Sequence, residues 1–254
     1  MSISIAVKGR EGIAFAADSR RASVEDDEGV YVTYDGALKV YPLADFVGLA
    51  LAGSFSGSLQ SLAAEVRARL PAGRLSVAAY ATHVSALLAD RTDRPILVLA
   101  GYDPDGMSRV FTLVPPFFVP EEQHVNGLGV TYAGMRQWID VLLAGLYGPE
   151  QRDPAYYTRL ALETMSLQDC VDLARVLVRV TIDMLRFGNE FYYQGAGGQI
   201  VSATITAERG FQYVEIAEPD DRDPVRRRIT DPPSSPIVSA PDDIARPANY
   251  TIVP

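Results

Sequence analysis

A mixed domain of helices and antiparallel strands, α+β in class, is what this sequence predicts, and three observations predict it. Ile3, Ile5 and Val7 alternate with smaller or polar residues, and after Arg10-Glu11-Gly12 comes the nearly all-apolar run Ile13-Ala14-Phe15-Ala16-Ala17, the pattern of a β-hairpin. Across residues 58–88 the apolar positions instead recur every three or four residues, in two runs parted by Pro71-Ala72-Gly73, as amphipathic helices require. Two later stretches, 95–114 and 197–216, read again as strand pairs around short polar turns.

The first helix is expected over 58–70, with Leu59, Leu62, Ala63, Val66 and Leu70 on one face. Ser76 is a plausible N-cap for the second, whose inward residues are Val77, Tyr80, Ala81, Val84, Leu87 and Leu88. Residues 95–102 and 108–114 form a hairpin about Asp103-Pro104-Asp105-Gly106. Pro115-Pro116-Phe117-Phe118-Val119-Pro120 is too rich in proline for a central strand, and its phenylalanines are expected to fold back on the core.

After a turn at Gly127-Leu128-Gly129-Val130, residues 131–146 read as a helix with Trp138, Val141, Leu142 and Leu146 inward, and 156–165 as another short helix. Ser166-Leu167-Gln168-Asp169 is a near capping box opening the best helix, with Cys170, Leu173, Leu177, Val180 and Met184 at helical repeats up to Gly188. The lone Cys170 sits on that apolar face, and no neighbour in sequence would lower its pKa, so its role is read as structural. A closing hairpin spans 197–216 about Glu208-Arg209-Gly210. The domain is expected over 1–218, and 219–254 is a proline-rich extension with no apolar period, extended or disordered, whose Tyr250-Thr251-Ile252-Val253 suits docking.

At 254 residues and 48% hydrophobic the chain can bury one sizeable core. A net charge of −9 and the lack of a long basic run exclude a nucleic-acid surface, and the lack of a long apolar run or signal peptide gives the expectation of a cytoplasmic protein off the membrane. The only histidines, His83 and His124, fall in different elements, so neither a histidine triad nor a metal site is expected, and without a phosphate loop no cofactor is.

The chemistry concentrates at the start. Ser2 stands at the free end of the first strand, and a small second residue permits removal of Met1. Ser2 then carries a hydroxyl and a free α-amine together. Such an amine titrates near 7.7–8.0 and can take the hydroxyl proton directly or through one water. A fixed positive charge nearby would favour the alkoxide. Lys39 is the candidate, because the chain uses only two lysines, Lys8 and Lys39, against twenty-one arginines. Composition alone leaves open whether Lys39 is this tuned point charge or an ordinary strand-edge one.

Residues 2–9 followed by Gly12-Ile13-Ala14-Phe15-Ala16-Ala17-Asp18-Ser19-Arg20, with Ala37-Leu38-Lys39-Val40-Tyr41-Pro42-Leu43 and the run from Val47 to Gly53-Ser54, resemble the opening of proteasome-type β subunits, the N-terminal-nucleophile hydrolases that also include the peptidase of the bacterial protease HslV. The resemblance covers about the first 218 residues and is most specific in the first 54. It implies a four-layer α-β-β-α sandwich of two stacked antiparallel sheets. It also implies roles: Ser2 as nucleophile, Asp18 paired with Lys39, Arg20 supporting the charge network, and the Gly53 N–H in the oxyanion hole.

Two segments depart from that pattern. The turn expected to place a serine by the α-amine reads Gly127-Leu128-Gly129-Val130, and the segment expected to bring a carboxylate and a hydroxyl reads Tyr193-Gln194-Gly195-Ala196 before Gly197-Gly198. Val24-Glu25-Asp26-Asp27-Glu28-Gly29 is an acidic insertion. The resemblance implies a proteasome-like peptidase subunit acting on peptides or proteins, in a homo-oligomeric ring fed by a separate ATP-dependent unfoldase. Two alternatives stand: a non-catalytic subunit that builds an assembly, favoured by Leu128 and Tyr193, and an amidase or acyl-transfer enzyme using the same nucleophile in an open site.

Overall fold

The first hairpin forms because Gly9 and Gly12 close its turn, the Gly9 N–H donating to the Gly12 carbonyl at 2.9 Å between β1 (Ile3–Lys8) and β2 (Ile13–Asp18). The computed structural model describes residues 2–24, 31–70, 73–145, 160–187 and 195–214. Along them follow β3 (Arg20–Val24), β4 (Tyr31–Asp35), β5 (Val40–Ala44), β6 (Val47–Ser54), α1 (Leu59–Arg69), α2 (Val77–Leu88), β7 (Arg94–Tyr102), β8 (Ser108–Leu113), β9 (Glu121–Gln123), β10 (Gly129–Gly134), α3 (Gln137–Gly145), α4 (Leu167–Phe187), β11 (Ile200–Thr206) and β12 (Gly210–Tyr213). Among the described residues the protein is α+β, with every strand pairing antiparallel. One sheet runs β10-β1-β2-β11-β12, another β5-β6-β7-β8-β9, and β3-β4 stands as a two-stranded ribbon.

Strand alternation sorts the side chains into three apolar clusters. Ile3, Ile5 and Val7 of β1 pack with Cys170, Ala174, Leu177 and Val178 of α4. Val47, Leu49 and Leu51 of β6 pack with Leu62 and Val66 of α1 and Val84 and Leu88 of α2. The residues between them in sequence, Ala6 of β1 and Ala50 and Ala52 of β6, join Ala17, Ala100, Ala133 and Ala203 in a third cluster drawn from both five-stranded sheets. Small side chains there let backbone of the two sheets approach, and each large aliphatic buried against a helix contributes about 1.5–3 kcal/mol.

Both early helices begin where serine allows. Ser58 and Ser61 make a reciprocal capping box on α1, and the Ser76 hydroxyl accepts the Ala79 N–H on α2, whose six expected inward residues are all buried. On α4, Asp169 closes the box, its carboxylate accepting the Ser166 N–H at 2.8 Å and the Asp169 N–H donating to the Ser166 hydroxyl at 3.2 Å. Cys170 is buried, and burial pushes its thiol above the ordinary value.

The structure corrects the sequence reading in four places. Residues 131–134 belong to β10, not to a helix; Val130, Thr131 and Tyr132 are β-prone, their burial alternates, and pairing with β1 outweighs the helical reading. The helix there is only α3, on which Ile139 is buried, Trp138 half-buried and Leu142 partly exposed. On α4 the buried stripe is Cys170, Val171, Ala174, Leu177, Val178, Thr181 and Leu185, so Met184 lies on the exposed side. The described end of the expected helix 156–165 is a turn, with the Thr164 and Met165 N–H groups on the Ala161 carbonyl. Phe118 folds into the core as expected, while Phe117 is 77% exposed. The extension 219–254, residues 25–29 of the acidic insertion, Leu146 and residues 156–159 and 193–194 lie outside the described residues.

Candidate active site

The antiparallel register of β1 with β10 runs from Lys8 opposite Gly129 to Ile3 opposite Gly134, which leaves Ser2 beside Met135, whose N–H donates to the Ser2 carbonyl at 3.0 Å. Gly134 has φ +93°, and a Cβ there would lie well inside contact with that carbonyl, so only glycine lets the two chains meet. On the same side of β1 as Ala6, the Ser4 hydroxyl donates to the Leu51 carbonyl at 2.6 Å, tying this end of β1 to β6.

Three side chains predicted from sequence converge here. Lys39, just before β5, donates to Ser2 Oγ at 3.0 Å, to Asp18 Oδ1 at 2.8 Å and to the Arg20 carbonyl. An ammonium has three protons, and each has an acceptor. Asp18 is wholly buried and accepts four donors: Lys39 Nζ and the Ile3 N–H (3.0 Å) on Oδ1, and the Gly197 N–H (3.0 Å) and Arg20 N–H (3.2 Å) on Oδ2. A buried carboxylate is tolerated only when satisfied in this way. Ser2 and Lys39 are 5% and 4% exposed.

Burial lowers the pKa of Lys39 from its ordinary value, while Asp18 and Asp35 oppose that fall. The result is a fixed donor on the serine oxygen. Because the ammonium donates to Ser2 Oγ, it favours negative charge on that oxygen, and the hydroxyl's own proton is directed elsewhere.

Arg20 enters by its backbone: its N–H reaches Asp18 and its carbonyl reaches Lys39. Its guanidinium instead makes a two-armed pair with Asp35, Nε to Oδ1 at 2.7 Å and Nη2 to Oδ2 at 2.8 Å, and Asp35 holds the Arg20 pKa above its ordinary value. The Gly197-Gly198 pair explains itself sterically, since a Cβ at Gly197 would lie 2.7 Å from Arg20 Cζ and one at Gly198 would strike the Ser19 hydroxyl. Gly53 is the next-to-last residue of β6, with φ +88°, and is partly exposed. Its neighbour Ala52 lies against Gly134, the Ala52 Cβ 2.8 Å from the position a Cβ on Gly134 would take, while Gly53 itself makes no hydrogen bond to Ser2 among the described residues.

The turn at Gly127-Leu128-Gly129, expected by the serine, lies at the opposite end of β1, because Gly129 pairs with Lys8. Gly134 and Met135 occupy the place beside Ser2, and Met135 is buried and apolar. The sequence reading missed them and Asp35. The β-prone run Val130-Thr131-Tyr132 just before Gly134 carried the signal for the first two, and nothing local in the sequence carried it for Asp35.

The second lysine makes a contrast. Lys8 is also 5% exposed, yet its Nζ donates only to the His124 carbonyl at 3.1 Å among the described residues, and burial again lowers its pKa. Among the described residues no group of three or more His, Cys, Asp or Glu side chains could hold a metal ion, and no helix is long and apolar enough to cross a membrane. No protein-family model and no curated protein matches this chain.

Proposed function

We propose that this protein is a proteasome-like peptidase subunit whose nucleophile is Ser2 once Met1 is removed. The observation that carries the reading is the buried Lys39 ammonium held on Ser2 Oγ and Asp18 Oδ1 together. A strand pair needs no such arrangement for folding, because burying an ion pair against water costs more than an apolar pair would. The three apolar clusters, one against α4, one against α1 and α2 and one shared by both sheets, support the finer reading of a four-layer α-β-β-α sandwich.

In this mechanism the free α-amine of Ser2 takes the hydroxyl proton directly or through one water, and Oγ attacks the peptide carbonyl. Lys39 favours the alkoxide, with Asp18 orienting it. The Gly53 N–H receives the oxyanion. The α-ammonium then returns its proton to the leaving amine, an ester on Ser2 remains, and water attacks the ester to release the acid. The site would lie inside a homo-oligomeric ring in the cytoplasm, fed by an ATP-dependent unfoldase.

One observation favours a second reading, a non-catalytic subunit of an assembly. The residue beside the Ser2 carbonyl is the buried, apolar Met135, which offers no polar side chain to orient an α-amine. The test is turnover of a fluorogenic peptide panel by protein from which Met1 has been removed, beside Ser2→Ala. Turnover that Ser2→Ala abolishes without unfolding supports the peptidase; equal rates in both, or none in either, would favour the second reading.

A further inference from the structure

The Arg20 carbonyl is one of three acceptors that fix Lys39, so whatever fixes Arg20 also fixes the ammonium. In the β3-β4 ribbon Arg20 stands opposite Asp35, and their side chains form the two-armed pair. Residues just after Asp35 hold the same turn from the other side: the Gly36 and Ala37 N–H groups donate to the Ser19 carbonyl at 3.0 and 2.8 Å. Opposite them, the Gly197 carbonyl accepts the Ser19 and Arg20 N–H groups at 3.1 and 3.0 Å. Asp35 therefore starts a five-residue segment, 35–39, that clasps the Arg20 turn at one end and delivers Lys39 to it at the other.

The pair is poorly placed to act as a stability element. Its side chains are 26% and 45% exposed, and ion pairs in such positions contribute little to folding. Its geometry is nevertheless the directional kind, since a guanidinium fork on a carboxylate fixes orientation as well as distance.

We propose that Asp35 is a positioning residue for the Ser2 site: through its two-armed pair with Arg20 it holds the Arg20 carbonyl on Lys39 and so sets where the ammonium meets Ser2 Oγ. The proposal rests on the reading that Lys39 serves Ser2 as nucleophile. The β3-β4 ribbon is thereby coupled to the site, and a partner that moved the ribbon would move Lys39. The charged groups facing Lys39 are Asp18, Asp35 and Arg20, of which the two carboxylates raise its pKa and Arg20 lowers it.

Because the chain has only two lysines, protein labelled with carbon-13 at the lysine ε-carbon gives two resonances, and Lys39→Arg identifies which is which. In Asp35→Asn the Lys39 resonance should shift and its titration midpoint fall while the Lys8 resonance stays in place. The kcat for peptide should drop roughly 10- to 100-fold with KM unchanged, as a misplaced catalytic group does, and Asp35→Glu should recover part of it. A Lys39 resonance and midpoint unmoved in a folded Asp35→Asn would overturn the proposal. Arg20→Lys keeps the charge but not the fork, so it separates position from the loss of the Asp35 charge, which alone lowers the Lys39 midpoint. It adds a third lysine resonance, which Lys39→Arg in the same background distinguishes from that of Lys39; the Lys39 resonance should shift here too, and an unmoved one would overturn the proposal whether or not Asp35→Asn folds. The resonance test needs no turnover, so wild-type protein that cleaves no peptide but shows the shift would sink the peptidase reading and leave the clasp standing.

Discussion

The two ends of β1 each bury a lysine, and they differ in what surrounds it. At one end Lys39 has three acceptors, a carboxylate counter-charge and a hydroxyl; at the other Lys8 has one backbone carbonyl among the described residues. Burial lowers the pKa of both. A buried ammonium is therefore no mark of a site by itself. What marks the Ser2 end is that the charge is balanced and directed: Asp18 is saturated by four donors, so Lys39 is held by a carboxylate that cannot turn away, and its remaining reach ends on an oxygen able to carry charge.

The contrast breaks most openly in turnover. Ser2→Ala and Lys39→Met should each lower kcat/KM for peptide on the order of 10³-fold or more, since members of one catalytic unit fail together. Lys8→Met should leave it within about twofold, a change of under 0.5 kcal/mol. Lys39→Arg keeps the charge but should still depress turnover, because a guanidinium fork cannot reproduce a compact tripod of donors. Equal losses in the Lys8 and Lys39 variants would erase the distinction drawn between the two ends.

Folding stability should separate them next. Lys39→Met leaves the wholly buried Asp18 carboxyl group without its ion-pair partner, at a cost of about 3–5 kcal/mol. Lys8→Met loses one hydrogen bond and a desolvated charge, and should change stability by no more than about 1 kcal/mol. Urea denaturation of the three proteins measures the difference directly. Gly134→Ala is the backbone counterpart: its positive φ and the Ser2 carbonyl in its way predict a loss of about 1–3 kcal/mol, together with displacement of Ser2 and loss of turnover.

The smallest effect is in the pH dependence. Both lysines have folded-state pKa values below the ordinary 10.5, so between those values and 10.5 the unfolded chain holds more protons and stability rises with pH. Each lysine-to-methionine change should flatten that rise in denaturation curves taken from about pH 7 to about pH 9, below the range where unfolded tyrosines, with pKa about 10, titrate. Above it the sign reverses, because Tyr132 and Tyr213, pushed up to about 12, keep protons that the unfolded chain releases. An unchanged slope in both variants would mean that neither lysine is desolvated.

How much of this was legible depended on where the physics is local. Ser76 and Ser166 announce their helices because caps are satisfied within three residues, and the β1-β2 hairpin is announced by alternation. Ser2, Asp18 and Lys39 could be named together, though their meeting depends on strand pairing. Residues 131–134 were misread as helix because a short apolar stretch fits both periods, and only its partner β1 decides between them. That error also put the glycine turn at the wrong end of β1. Asp35 was invisible for a different reason: an aspartate before glycine reads as turn chemistry, and its partner Arg20 lies fifteen residues away.

The most direct test of the central claim is the intact mass of the purified protein before and after treatment with a peptide epoxyketone, which needs a hydroxyl and a free α-amine on one residue. Loss of Met1 and a single adduct mapped to Ser2, absent from Lys39→Met and present in Lys8→Met, is the expected result. Protein lacking Met1 that forms no adduct, or forms it as readily in Lys39→Met, would contradict the account.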